Sequence, residues 1–127
     1  MNILGTGVDI VETARIGGSI SRHGERFLAR VFLEGERVYC RKMTVPERCY
    51  AARFAAKEAV SKAFGTGIGA SLGWLDIEVR RKASGEPFVV LHGEGAKTAV
   101  RLGITELRLS LSHSDQYAVA HALALGA

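Results

Sequence analysis

Cysteine is nearly absent: Cys40 and Cys49 are the only two in 127 residues. Their spacing makes neither a zinc-ligand pattern nor a disulfide framework, which excludes the metal-stapled and disulfide-stapled classes. Two reduced thiols in a cytoplasmic chain are the expectation. Aromatic residues make up only 7%, too few to interleave with basic residues as a nucleic-acid surface. Proline occurs twice, and no linker-like or low-complexity tract interrupts the chain. No internal repeat at a fixed period is present either, so one domain spanning residues 1–127 is expected. No apolar run is long enough to span a membrane. The opening Met1-Asn2-Ile3-Leu4-Gly5 has no basic region and soon reaches Asp9, so no signal peptide is expected.

Two chemical signatures are missing as well. Gly65, Gly67 and Gly69 match neither a dinucleotide fingerprint nor a P-loop, since no Gly-Lys-Ser/Thr ending follows. Ser112-His113-Ser114-Asp115 holds the residue types of a hydrolase triad. Neighbours on a strand point to opposite faces, however, and no nucleophile elbow is present. A histidine flanked by serines at a hairpin end is better suited to contacting an anion.

What is present describes a globular protein, 47% hydrophobic and 24% charged. A net charge of +4 and a pI near 9.4 suit an acidic partner: nucleic acid, a phosphorylated cofactor or an acidic protein. Charge alone does not choose among them.

The chain is organised around Arg53–Gly65, the second half of a long helix that starts near Pro46 and runs to Phe64. Ala52, Ala56, Ala59 and Ala63 form a small-residue stripe that admits close packing. Glu58 shares an arc with Ala51, Phe54, Ala55, Ser61, Lys62 and Gly65. Gly65 ends the helix, and Thr66-Gly67-Ile68-Gly69 forms a turn whose amides can approach an anion.

Before this helix, Ile3–Val11 reads as a strand, with Val8 and Ile10 on one face and Gly7 and Asp9 on the other. Glu12 to about Arg30 reads as helix, broken near Gly17-Gly18 and Gly24, with basic exposed positions. Glu34–Lys42 reads as a short helix. After the central helix, Ser71–Trp74 is loop, and Asp76–Lys82 and Phe88–Leu91 form a hairpin. Gly95–Leu102 is a helix stopped by Gly103. Glu106–Ser112 and Tyr117–Leu125 form the closing hairpin. The last strand is apolar on both faces, with Tyr117, Val119, Leu123 and Leu125 on one side and Ala118, Ala120, Ala122 and Ala124 on the other. Such a strand has to be covered twice. His121 is expected to be a packed or interface histidine. The order argues α+β, with helices on one face of an antiparallel sheet.

Asp9 and Glu58 have the chemistry of a magnesium site, which takes one or two carboxylates plus phosphate. Lys62 is placed to hold a phosphate oxygen. Taken alone, Glu58 and Lys62 are an ordinary i,i+4 ion pair.

Three segments together carry a resemblance: Gly5-Thr6-Gly7-Val8-Asp9-Ile10-Val11-Glu12, Arg53–Gly67, and Leu111-Ser112-His113-Ser114. They resemble the motifs of the holo-acyl-carrier-protein synthases, the small bacterial class of 4'-phosphopantetheinyl transferases. One departure is Leu33, where that family usually has threonine.

The resemblance implies the 4'-phosphopantetheinyl transferase fold: an antiparallel sheet with a long central helix packed on one face. It implies transfer of phosphopantetheine from coenzyme A to a serine of apo-acyl carrier protein, with release of adenosine 3',5'-bisphosphate. Magnesium is expected on Asp9 and Glu58. Glu58, Lys62 and His113 are the expected catalytic groups. Ser61, Lys62, Gly65, Thr66, His113 and Ser114 are expected to bind coenzyme A. The general base is Glu58 or a metal-bound water, with Asp115 a less favoured third. Because acyl carrier proteins are acidic, Arg15, Arg22 and Arg26 are the expected docking face. A homotrimer with a site at each subunit interface, acting in the cytoplasm without nucleic-acid or membrane partners, completes the expectation. The alternatives are a small basic nucleic-acid-binding domain and a coenzyme A- or nucleotide-binding module without catalysis.

Overall fold

The computed structural model describes residues 1–127. Its elements follow in the order β1 (Asn2–Glu12), α1 (Thr13–His23), α2 (Glu25–Val31), α3 (Glu34–Arg41) and α4 (Pro46–Phe64). Then come a 3-10 turn (Trp74–Asp76), β2 (Ile77–Arg81), β3 (Pro87–Leu91), α5 (Gly93–Leu102), β4 (Ile104–His113) and β5 (Tyr117–Gly126). β1, β5 and β4 form one antiparallel sheet in that order; β2 and β3 form a separate hairpin. The expected α+β architecture, with α4 on one face of the sheet, is present. One expected break moves. The helix interruption lies at Gly24 alone, where φ is +53° and glycine is favoured; Gly17 and Gly18 lie inside α1.

Small residues explain the central contact. α4 presents Ala55, Ala56, Ala59 and Ala63, and β5 presents Ala118, Ala120, Ala122 and Ala124, all 5% exposed or less. A bulge at Leu4 resets the alternation of β1, so Gly5 and Gly7 also face α4. A Cβ on Gly5 would collide with the Ala63 carbonyl oxygen, and one on Gly7 with that of Ala59. The backbones therefore lie nearly in contact, and the next residue inward on β1, Asp9, is brought beside the helix. Gly7→Ala should destabilise the protein by roughly 3 kcal/mol, the upper end of overpacking costs. Chemical denaturation measures this; a change below about 0.5 kcal/mol would show that the helix can move away.

The opposite face of the sheet carries no chain of its own. Val8 is 59% and Ile10 63% exposed there, beside half-buried Val119, Leu123 and Leu125. His121 pairs with Val8 and Ser110 in the middle of this face and is exposed.

A buried ion pair joins the helices below the sheet. The Lys57 ammonium donates to Glu36 Oε1 at 2.7 Å, to the Val31 carbonyl at 2.7 Å and to the Trp74 carbonyl at 3.0 Å. Glu36 also accepts from the Leu33 and Val79 amides, both at 2.9 Å. Leu33 is the residue before α3, where a threonine hydroxyl would cap the helix and leucine makes no side-chain cap bond.

Cys40 and Cys49 are not two thiols. They form a disulfide with Cα atoms 5.4 Å apart. The loop after α3 folds the chain back so that the end of α3 meets the start of α4.

Candidate active site

From Tyr50 to Phe64, α4 is buried all round except at Phe54, Glu58 and Lys62. These three, each four residues from the next, form a single stripe along the helix. Phe54 packs on Trp74, with ring centroids 4.9 Å apart. Glu58 and Lys62 lie beside Asp9. The Lys62 ammonium donates to Asp9 Oδ1 at 3.1 Å and to the Val8 carbonyl at 3.0 Å. The expected Glu58–Lys62 pair is thus not the short ion pair here; Lys62 reaches across to β1. Partial burial, and after it the Asp9 charge, push the Glu58 carboxyl above the usual carboxylate range, while Lys62 and Arg15 pull it down. Two carboxylates that repel each other at the mouth of a strand–helix contact fit a hard divalent cation: oxygen donors, excess negative charge and open access. No third histidine, cysteine or carboxylate joins them.

Gly65 and Thr66 continue the stripe past the end of α4. Gly65 has φ +79° with open space around it, and Thr66 is exposed. Ser61 departs from expectation. It is fully buried, and its hydroxyl donates to the Glu58 carbonyl at 2.7 Å. The arc drawn from the sequence was too wide: Ser61 lies one turn on from Lys57, on the side of α4 turned away from β1, and that side is buried as well.

His113 and Ser114 do not converge with Asp9 and Glu58. They close β4, on the far side of β5 from β1. The Ser114 hydroxyl accepts from the Tyr117 amide at 3.3 Å inside the turn. His113 lines a cavity of about 430 Å³ together with Arg48, Arg53 and Arg81. Arg53 and Cys49, also in that wall, precede Glu58 by five and nine residues. At 3.6 residues per turn they face about 140° and 180° away from it. Asp115 is held by Arg48 at 3.1 Å on this same side.

Arg53 is the functional candidate that the sequence reading did not single out. It is 2% exposed, lies 4.3 Å over the Tyr39 ring and has no carboxylate partner; its Nε has no hydrogen-bond partner. Burial lowers its hold on its proton, against Glu36 and Tyr39. Its place at the head of the Arg53–Gly67 segment was the available signal.

Arg15, Arg22 and Arg26 are exposed on α1 and α2, and none forms an ion pair. Arg15 is near enough to act on Glu58, so this basic face borders the carboxylate pair.

Residues 5–122 match the 4'-phosphopantetheinyl transferase superfamily. A holo-[acyl-carrier-protein] synthase of Koribacter versatilis is 50% identical over 118 residues, covering 93% of this chain and 94% of that protein. The crystal structure of the Neisseria meningitidis holo-[acyl-carrier-protein] synthase superposes with a TM-score of 0.92 at 31% identity, covering 98% of this chain and 99% of that one. The Helicobacter pylori enzyme of the same name, in complex with coenzyme A, gives a TM-score of 0.85 at 32% identity, over 94% and 99% of the two chains. With its long helix packed on one antiparallel face and its motifs on those elements, this chain belongs to the holo-[acyl-carrier-protein] synthases of the 4'-phosphopantetheinyl transferase superfamily.

Proposed function

We propose that this chain, acting as one domain in the cytoplasm, moves 4'-phosphopantetheine from coenzyme A to a serine of apo-acyl carrier protein. Adenosine 3',5'-bisphosphate leaves, and the product serves fatty-acid synthesis. The observation that carries this reading is the stripe Phe54–Glu58–Lys62, the only opening in α4 between Tyr50 and Phe64, with Asp9 beside it. Asp9 and Glu58 would hold magnesium. When bound, the ion neutralises the diphosphate and stabilises charge developing in phosphoryl transfer. Lys62 supplies a further positive charge at the same point, and Glu58, kept basic by its raised pKa, is placed to take the serine proton. Gly65 and Thr66 extend the cleft beyond Lys62. The coenzyme A complex of the Helicobacter pylori relative supports this substrate.

The cavity of Arg53, Arg81 and His113 would hold the remaining phosphate of coenzyme A. Within one chain it faces away from Glu58. A second copy, seated on the apolar face of Val8, Ile10, Val119 and Leu123, would bring its cavity to the first copy's carboxylates, and three copies would close a ring. Mixing Glu58→Gln chains with chains carrying both Arg81→Ala and His113→Ala should restore partial activity. Full activity from a monomer by light scattering, with no restoration on mixing, would overturn the shared site.

The basic face of Arg15, Arg22 and Arg26 would dock the acidic carrier and bring its serine to Glu58. Reversing these charges should raise KM for the carrier about tenfold or more and leave KM for coenzyme A within about twofold, because steering charges act mainly on encounter with the charged partner. Equal movement of both KM values would return the arginines to a solvated face. The reaction itself is read by mass spectrometry of apo-acyl carrier protein with coenzyme A and magnesium. A gain of one phosphopantetheine is expected; binding of coenzyme A without that gain would favour a non-catalytic module.

A further inference from the structure

The Cys40–Cys49 bridge stands at the wall of the basic cavity. Cys40 is in the last turn of α3 and Cys49 in the first turns of α4. The segment between them contributes Met43, Thr44 and Val45 of the loop and Arg48 of α4 to the cavity, and Cys49 itself lines it. One wall of the pocket is therefore pinned at both ends by a single covalent bond. The sulfur of Cys49 lies 3.0 Å from Arg53 Nη1. In a disulfide that sulfur is a weak, uncharged acceptor. It leaves Arg53 a buried cation without an anion, with a free Nε donor, a state that favours an incoming phosphate.

We propose that the Cys40–Cys49 bridge is a redox switch on the anion cavity: the disulfide form binds the ligand's phosphate through Arg53, and the dithiol form releases it. The inference rests on the reading that this cavity takes a phosphate of coenzyme A. Reduction breaks one S–S bond. A thiol or phosphine reductant gives two electrons, Cys40 takes a proton as a thiol, and Cys49 is left as a thiolate. The guanidiniums of Arg48, Arg53 and Arg81 around the cavity favour that thiolate. It places a negative charge against the guanidinium that the phosphate needs, and the two anions then compete. The segment 41–48, closed into a ring by the bridge, also regains chain entropy, so the wall must be ordered again on binding. Cys40 is fully buried while Cys49 faces the cavity, so a reductant meets Cys49 first.

The test uses the full chain and adenosine 3',5'-bisphosphate, which has no thiol to exchange with the bridge. Calorimetric titration is run on protein shown by thiol counting to be fully oxidised or fully reduced. Affinity should fall about tenfold on reduction, the scale of one charge-assisted hydrogen bond. Cys40→Ser, which keeps the Cys49 thiolate, should bind as weakly as reduced protein under both conditions. Cys49→Ser should bind more tightly than Cys40→Ser and ignore the reductant. Equal affinity in both redox states, or a chain that no disulfide oxidant can bridge, overturns the switch. Arg53→Met separates the two readings. If it weakens binding in both states while redox state has no effect, the cavity stands and the switch falls. If it has no effect on binding, both fall.

Discussion

Asp9→Ala and Glu58→Ala should each slow phosphopantetheine transfer about a thousandfold, the several kcal/mol that metal-centred charge stabilisation supplies. The fold should survive both changes, because neither carboxylate holds a backbone element in place. Glu58 allows a sharper form of the test. Its folded carboxyl binds its proton more tightly than in the unfolded chain, owing to burial and to Asp9. The stability linked to that proton is complete at pH values below the ordinary glutamate range and is lost as pH rises through the raised value. At neutral pH the ionised carboxylate therefore opposes folding of the metal-free protein. Glu58→Gln should lose activity yet melt no lower, and if anything higher, than the parent without metal. Magnesium should raise the melting point of the parent and not of the variant, and a higher magnesium concentration should be needed as pH falls toward the carboxylate range. A variant that keeps a tenth of its activity, or a parent whose melting point ignores magnesium, would remove the metal from this site.

Lys57→Met should have the largest effect on stability, about 3–5 kcal/mol, the usual result of removing one partner from a buried ion pair. The methionine fills the space but leaves Glu36 charged, fully buried and short of its cation. It also leaves the Val31 and Trp74 carbonyls without their donor. A second change, Glu36→Leu, should restore only part of the loss, since the Leu33 and Val79 amides would then lack an acceptor. Urea denaturation of the two single variants and the double variant reads the coupling directly. A loss below about 1 kcal/mol for Lys57→Met would mean that water enters this part of the core.

The contact that builds the site was legible in the sequence because two periodicities meet there. Alternation along β1 placed Gly7 and Asp9 on one face, and the alanine spacing of α4 marked the surface that packs closely. Glu58 and Lys62 followed from that pairing. The flank on which His113 lies was not legible. A strand's neighbours are set by pairing over long separations, and nothing local states that β5 stands between β1 and β4. Lys57 was equally hidden. Beside Glu58 it looks like a second surface charge, and only the approach of α3 and the Trp74 turn encloses it. Cys40 and Cys49 carried no pairing signal before α3 and α4 folded back on each other. Ser61 shows the limit of helical arcs: the pattern gives a direction but not how much of the circumference the surrounding elements cover.

The window in α4 also governs how this protein can change over time. On most helices the wet side is where sequence drifts, since a surface position rarely has a contact to lose. Here the wet side is Phe54, Glu58 and Lys62, where the proposed chemistry sits. The remaining positions from Tyr50 to Phe64 are buried, and at Ala59 and Ala63 the backbone of β1 lies nearly in contact with the helix. One side resists change for chemical reasons and the other for want of volume. Variation is then left to the helices and loops that surround α4, where a new carrier or a new control can be accommodated without touching the reaction.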